Sequence, residues 1–245
     1  MHAKYTNDEY NFEAILLNKF RNRFPTMVSF ENMHALLHDG SLTVEERAYY
    51  NRKVRIFGKN DRDSVFVREF YHLFDTDYTF LGMYIAFLQQ KIKPLFPGEK
   101  YIVVQKTPNI RFHLPGYSNI GRLPSDPNDG IIGLHTDRQF NHPVSELNII
   151  LPITDMFGTN SIYYEQVSES TEDIDKFTSL ELRKNEFFTA YLNGCRHYNK
   201  INETGQTRVS FDFRVCPYSS YVNTGRASAT NNTKFILGEY YMLLS

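Results

Sequence analysis

Apolar residues recur with two different periods along this chain, and the period changes near residue 100. In the first part they recur every three or four positions, which places them on one face of an α-helix. Four segments have this spacing: DEYNFEAILLNKFRNRF, TVEERAYYNRKVRIF, RDSVFVREFYHLF and FLGMYIAFLQQKIKPLF. The second begins with a capping-box pattern, Thr43 followed by Glu46. We therefore predict a helical N-terminal part over residues 1–100.

Residues 101–245 contain short segments rich in β-branched and aromatic residues, separated by turn formers such as PGYSN, PSDPNDG and NETGQ. These segments are YIVVQKT, NIRFHL, SELNIILPI, SIYYEQV, EFFTAYL and TRVSFDFRV. Many short strands without alternating helices favour a β-sandwich or a jelly roll. The apolar C-terminal segment KFILGEYYMLLS is expected to pack back onto this body. Because 245 residues suffice for one sizeable core, we predict a single, mainly β domain over 1–245.

Two predicted strands combine a polar face with an apolar one. Side chains alternate between the faces of a strand, so every second residue of TRVSFDFRV shares a side. Its polar side consists of Arg208, Ser210, Asp212 and Arg214. SELNII has the same mixture and places Glu146 and Asn148 on one side. Either these polar sides face solvent, or they line a ligand cavity while the apolar sides lie under the N-terminal helices.

Three side chains form a candidate metal site. His135 and Asp137 are two positions apart at a predicted strand end, so they project to the same side, and His197 lies near another strand end. Two histidines and one carboxylate with open positions make the facial triad of non-haem Fe(II) oxygenases. The His-x-Asp pair alone is a weak signal in a chain with eight histidines and 28 acidic residues.

Arg208 and Ser210 strengthen this interpretation. They follow His197 on one predicted strand and share its polar side. A buried arginine needs an anion, and its guanidinium can hold a carboxylate through paired N–H donors. The 5-carboxylate of 2-oxoglutarate would supply that anion, and its 2-oxo acid end would chelate the iron.

The order of these motifs resembles that of Fe(II)/2-oxoglutarate-dependent oxygenases: H-x-D, 59 residues, H, and then R-x-S. Residues 108–215 resemble the StrG-like group of streptomycin-type biosynthesis and, more distantly, the phytanoyl-CoA dioxygenase group. The resemblance implies a double-stranded β-helix, the cupin-like jelly roll. We expect the N-terminal helices, which the resemblance does not cover, to pack on one of its sheets. It implies His135, Asp137 and His197 as the catalytic iron ligands and Arg208 and Ser210 as 2-oxoglutarate contacts, with O2 as the third reactant.

Further polar residues near these motifs have two interpretations each. Asn148 either reaches 2-oxoglutarate or the substrate, or it is a structural amide. Arg111 and His113 either line the substrate pocket or face solvent. Arg214 is a candidate substrate contact, or it simply pairs with Asp212. A loop of Arg138, Gln139 and His142 either forms the lip of the pocket or lies at the surface, and Cys195 is expected in the core.

Composition narrows the class of protein. The net charge of −1 and the absence of a basic run argue against a nucleic-acid partner. Two cysteines, no apolar leader and no long apolar window lead us to expect a cytoplasmic protein without a membrane span.

We predict an oxygenase that hydroxylates a small polar metabolite such as an amino acid, sugar or aminocyclitol derivative. The alternatives are a metal-binding cupin enzyme that does not use 2-oxoglutarate and a non-catalytic β-sandwich binding module. The oligomeric state is left open.

Overall fold

The N-terminal half of the protein is largely helical in this computed structural model, which describes residues 1–51, 64–116, 134–165, 177–228 and 232–245. The helices are α1 (Phe12–Arg23), α2 (Val44–Asn51), α3 (Val65–Thr76) and α4 (Tyr78–Phe87). A π-helical turn at Leu88–Ile92 and a 3-10 turn at Lys93–Leu95 follow α4. Each of the four predicted helical segments therefore contains a helix.

Side-chain caps explain where two of these helices begin. Thr43 Oγ1 accepts from the Glu46 amide at 3.2 Å, and Glu46 Oε2 accepts from the Thr43 amide at 2.9 Å, as the capping-box pattern predicts. Asp77 Oδ1 accepts from the first amides of α4, at 2.9 Å from Thr79 and 3.2 Å from Phe80. The caps satisfy amides that have no partner inside a helix.

The described strands form two antiparallel sheets. They are β1 (His2–Lys4), β2 (Ile102–Gln105), β3 (Asn109–His113), β4 (Leu147–Pro152), β5 (Ile162–Glu165), β6 (Phe177–Leu180), β7 (Glu186–Ala190), β8 (His197–Asn199), β9 (Arg208–Pro217) and β10 (Tyr241–Leu244). The large sheet has the order β1-β7-β4-β9-β2-β10, and β3 also pairs with β9. The small sheet has the order β6-β5-β8. The architecture is mainly β with N-terminal helices, as expected.

The long central strand β9 separates an aromatic core from a polar layer. On its apolar face, the Phe211 ring lies within 6.1 Å of the rings of Phe12, Phe70 and Phe80, which belong to α1, α3 and α4. The helices therefore cover this face of the large sheet, as predicted. The opposite face is also buried: Arg208 and Ser210 are each 1% exposed. The alternative in which the polar side of β9 faces solvent is wrong.

Several strands lie outside the segments predicted from the sequence. β1 pairs with β7, so the first hundred residues are not entirely helical. β6 and β8 are only four and three residues long, too short for alternation to identify them. The C-terminal segment does pack back, because β10 pairs with β2.

Some predicted features lie outside the described residues. These are the end of the second helical segment after residue 51, the PSDPNDG turn and the last two residues of SIYYEQV. Among the described helices, none is both long enough and apolar enough to cross a bilayer.

Phe211→Ala tests the aromatic core. The substitution removes a ring that contacts three helices, and we expect it to lower the free energy of unfolding by about 3–5 kcal/mol. Tyr78→Ala is the matched control, because this aromatic side chain is 83% exposed, and its effect should stay within about 0.5 kcal/mol. Urea denaturation followed by circular dichroism measures both. Equal effects of the two substitutions would contradict the packing described.

Candidate metal centre

Main-chain pairing brings the two candidate histidine ligands together. His135 and His197 form an isolated antiparallel bridge, with N–O distances of 3.1 Å from the His135 amide and 2.8 Å from the His197 amide. Their rings lie side by side, with 4.4 Å between centroids. His197 begins β8, so the small sheet positions one ligand directly and the other through this bridge.

A short helical turn positions the carboxylate. Asp137 is the first residue of the 3-10 turn Asp137–Phe140, which Thr136 caps. Gln139 accepts from the Thr136 amide through its side chain at 2.9 Å, and the Arg138 amide donates to the Asn193 carbonyl at 3.1 Å. These bonds fix the turn against the loop that precedes β8.

The three side chains meet the geometric requirement for a metal ion. One ligand atom each from His135, Asp137 and His197 lies within 4.8 Å of the others. His197 Nδ1 donates to the Cys195 carbonyl at 2.9 Å, and its Nε2 lies 3.5 Å from Asp137 Oδ1. With Nδ1 as the donor, Nε2 of a neutral imidazole is an acceptor. Two acceptors that face each other need a proton or a cation between them. Two imidazoles and a carboxylate with open positions suit Fe(II).

The second oxygen of Asp137 is already engaged by the large sheet. Asn148 Nδ2 donates to Oδ2 at 2.6 Å, and Arg214 Nη2 donates to it at 2.9 Å. Burial disfavours the ionised carboxyl, but Arg214 and His197 outweigh it and hold the pKa of Asp137 well below its usual range. Asp137 is therefore a carboxylate, which is the form that binds a metal.

An ion-pair chain continues from Asp137 across the polar face of β9. Arg214 bridges Asp137 and Asp212, and Arg111 Nε donates to Asp212 Oδ2 at 2.7 Å. Asn109 Nδ2 donates to Asp212 Oδ1 at 2.8 Å. Despite its burial, Asp212 has a pKa well below its usual range because Arg111 and Arg214 flank it. The pairing of Asp212 with Arg214 agrees with one of the two interpretations of Arg214.

Arg208 has a different environment, because no carboxylate among the described residues forms an ion pair with it. Its Nη1 donates a long hydrogen bond of 3.4 Å to Asn199 Oδ1, and its buried Nε has no hydrogen-bond partner. Burial, with a smaller contribution from Arg111, lowers the pKa of Arg208 to about 9. The guanidinium is still charged at neutral pH, so this site is suited to an anion.

The remaining candidates differ in accessibility. His113 is fully buried, and its Nδ1 donates to the Asn160 carbonyl at 3.2 Å, whereas the Arg111 side chain is 32% exposed. Asn148 Oδ1 is buried beside the candidate ligands and has no hydrogen-bond partner among the described residues. In the loop after Asp137, His142 pairs with Glu146 at 2.8 Å.

Arg138 and Gln139 in the same loop are exposed, which agrees with the surface interpretation, although Gln139 also caps the turn. Cys195 packs at the edge of a hydrophobic cluster, as expected. Two site residues were not singled out from the sequence, Asn109 and Asn199. Asn199 was identifiable, because it lies two positions after His197 and so shares its side of the strand.

Comparison with known proteins gives one sequence relative. No protein-family model matches the chain. Over 142 residues it is 29% identical to the streptomycin biosynthesis protein StrG of Streptomyces griseus. The alignment covers 57% of this chain and 59% of that protein, so it spans less than two thirds of the relative.

Solved structures overlap only loosely with this chain. AviO1 from Streptomyces viridochromogenes Tue57 gives a TM-score of 0.43 at 10% identity, covering 90% of this chain and 89% of that one. The epimerase SnoN from nogalamycin biosynthesis gives 0.42 at 11% identity, covering 95% and 100%. HygX from Streptomyces hygroscopicus with nickel and 2-oxoglutarate gives 0.35 at 13% identity, covering 80% and 96%. At these values, function has to be inferred from the residues of this chain.

Replacing each candidate ligand tests the metal centre. We expect His135→Ala, Asp137→Ala and His197→Ala each to abolish tight Mn(II) binding, because each removes one of three protein ligands. His72→Ala is the control, because His72 is an exposed residue of α3. Titration of Mn(II) followed by electron paramagnetic resonance measures the affinity. A ligand variant that binds Mn(II) as tightly as the unchanged protein would remove that residue from the site.

Proposed function

We propose that this protein is an Fe(II)- and 2-oxoglutarate-dependent oxygenase that oxidises a small polar metabolite, most simply by hydroxylation. The observation that carries the proposal is a pair of features that β8 connects, since it bears His197 and also Asn199, which Arg208 contacts. One is a cluster of two histidines and a carboxylate, and the other is Arg208, a buried guanidinium without a carboxylate partner among the described residues. A metal ion accounts for the first feature. A dicarboxylate cosubstrate that chelates this metal ion and pairs with Arg208 accounts for the second.

The residues present fit this cofactor set. His135, Asp137 and His197 would hold Fe(II), which 2-oxoglutarate and O2 need for oxidative decarboxylation to succinate and CO2, with oxidation of the substrate. Arg208 would bind the 5-carboxylate, and Ser210, two positions along the same face of β9, would contribute a hydroxyl. The protein contributes to the reaction by orienting the reactants and by excluding water.

The polar residues not assigned to the metal ion or to 2-oxoglutarate indicate the class of substrate. Arg111 is partly exposed on the face that bears Arg208, so it is our candidate for holding a substrate carboxylate or hydroxyl, with His113 behind it. Arg214 and Asn148 touch Asp137 directly and are engaged in the metal centre. The name of the relative, a streptomycin biosynthesis protein, supports an amino acid, sugar or aminocyclitol derivative as substrate. Nothing in the net charge of −1 favours a nucleic acid.

We also propose that the two sheets belong to a double-stranded β-helix formed by a single domain. The candidate site supports this arrangement, because it draws residues from both sheets. His197 and Asn199 come from β8 of the small sheet, whereas Asn148, Arg208 and Arg214 come from β4 and β9 of the large sheet. A ligand cavity between the two sheets of such a fold would be lined by side chains from both sheets.

Two alternative functions make different predictions for ligand binding. A cupin enzyme that does not use 2-oxoglutarate would bind the metal ion but would leave Arg208 without an anion. A non-catalytic β-sandwich would bind neither. Thermal unfolding of the protein with Mn(II), with and without 2-oxoglutarate, separates the three, because a ligand that binds only the folded state raises the melting temperature. We expect a rise with Mn(II) and a further rise with 2-oxoglutarate.

Arg208→Ala tests the cosubstrate site. Loss of a charge-assisted contact from a buried site costs on the order of 2–5 kcal/mol, so we expect affinity for 2-oxoglutarate to fall by roughly 30-fold to several thousand-fold. Ser210→Ala should cost less, because it removes a neutral hydroxyl. Arg183→Ala is the control, an arginine whose side chain is 77% exposed and remote in sequence from β9. Calorimetry in the presence of Mn(II) measures binding, and unchanged affinity in Arg208→Ala would refute the assignment.

Succinate formation identifies the substrate class. Panels of amino acids, amino sugars, peptides and oligonucleotides are supplied to the Fe(II)-loaded enzyme with 2-oxoglutarate, and succinate above the uncoupled background is measured. We expect stimulation by a small polar metabolite, and for a carboxylated one we expect that Arg111→Ala removes it. Stimulation by peptides or oligonucleotides alone would contradict the small-molecule proposal.

A further inference from the structure

We propose that Arg214 is a positioning residue of the metal centre: together with Asn148 it occupies Oδ2 of Asp137 and so leaves only Oδ1 for the metal. The inference rests on the metal site of the proposed function. It concerns how the protein limits the carboxylate to one metal bond. A carboxylate can bind a cation through one oxygen or through both, and the choice changes how many positions stay open.

The contacts around Asp137 divide its two oxygens between two tasks. Oδ2 accepts from Asn148 at 2.6 Å and from Arg214 at 2.9 Å. Oδ1 lies 3.5 Å from His197 Nε2, on the side of the candidate ligands. Both donors come from neighbouring strands in register, since Asn148 of β4 is the cross-strand partner of Arg214 of β9. The sheet therefore presents a preformed pair of donors to one oxygen.

Arg214 is itself held in place by a second carboxylate. Its Nη1 bonds Asp212 Oδ1, which also accepts from Asn109 at 2.8 Å, while Arg111 binds the other oxygen of Asp212 at 2.7 Å. Arg214 is buried, and the two carboxylates raise its pKa well above the usual value in spite of burial. Because Asp212 restrains the guanidinium, turning the Asp137 carboxylate would break a buried, charge-assisted bond.

The number of metal bonds from Asp137 determines how many coordination positions remain open on the metal ion. Three single-atom protein ligands on a six-coordinate ion leave about three positions, enough for a bidentate 2-oxo acid and one O2. A second bond from Asp137 would leave about two positions, which the 2-oxo acid alone would fill. Arg214 therefore acts on the reaction through Asp137 rather than by touching the substrate.

The experiment counts water molecules on bound Mn(II) by proton relaxation of the solvent, at saturating protein. For the unchanged protein we expect about three exchangeable waters, and about one after addition of 2-oxoglutarate. For Arg214→Met/Asn148→Leu we expect about two waters and then about none, because Oδ2 becomes free to bind. Arg214→Lys/Asn148→Leu puts a cationic donor back at position 214 alone and should restore the third water.

Arg111→Met is the matched control. It removes an arginine that binds Asp212 but does not touch Asp137, so the water count should remain about three. If Arg214→Met/Asn148→Leu does not fold, Arg214→Met/Asn148→Leu/Asp212→Asn removes both donors to Oδ2, preserves the net charge of the cluster, and is expected to lose one water in the same way. A purely structural role for Arg214 would lower the melting temperature without changing the count.

The outcomes separate this inference from the proposed function. About three waters in every folded variant would overturn the positioning role while leaving the metal site intact, and so would about two waters in the unchanged protein. No Mn(II) binding by the unchanged protein would instead refute the metal site, and with it the proposed function. Loss of one water in Arg214→Met/Asn148→Leu that Arg214→Lys/Asn148→Leu restores would support the role of Arg214.

Discussion

The burial of charge on one face of β9 is the constraint on which the rest of this structure depends. Arg208, Asp212 and Arg214 alternate along this strand, and all three are less than 9% exposed. Removing such groups from water is costly unless each finds a partner of opposite charge or a strong hydrogen bond. Within the part of the chain that the structure describes, the surrounding elements supply a charged partner for Asp212 and Arg214 but not for Arg208.

The charges of Asp212 and Arg214 are balanced by ion pairs within the protein, and these ion pairs reach the candidate metal centre. The two side chains form an ion pair with each other, and Arg214 also forms an ion pair with Asp137. Arg208 differs, because its only described hydrogen bond goes to the neutral side chain of Asn199. Among the described residues, two of these buried charges have charged partners and the third, Arg208, has none, which supports the proposed site for an anionic ligand. This contrast within one strand supports the cosubstrate assignment more strongly than the motif order does.

The helical N-terminal part has a physical role in this arrangement. Aromatic rings of α1, α3 and α4 cover Phe211, so the apolar face of β9 is anchored in the core. A strand anchored in this way cannot shift its register by one residue, because such a shift would exchange its two faces. The position of Arg208 and Arg214 relative to the metal ligands is thus set by packing on the opposite side of the sheet.

Much of this protein was predictable from sequence periodicity and residue type. The four helical segments, the two-faced character of β9 and the common side of His135 and Asp137 follow from local spacing, because the backbone geometry of a helix or strand is local. The addition of His197 to that pair rested on the order of motifs and on a family resemblance, because 59 residues separate it from Asp137. The short strands β6 and β8 were not predictable, since three or four residues contain too little alternation. Whether the polar face of β9 points to solvent or into the interior was also open, because the alternation of polar and apolar residues is the same in both cases.

The tertiary structure decided which charges become partners. Asn148 lies opposite Arg214 only through the register of β4 and β9, and Arg214 reaches Asp137 across 77 positions of sequence. The same long-range packing leaves Arg208 without a carboxylate among the described residues. The sequence by itself determined which side chains share a strand face. Only the fold determined their partners, because an ion pair depends on distances between elements that no local pattern of residues encodes.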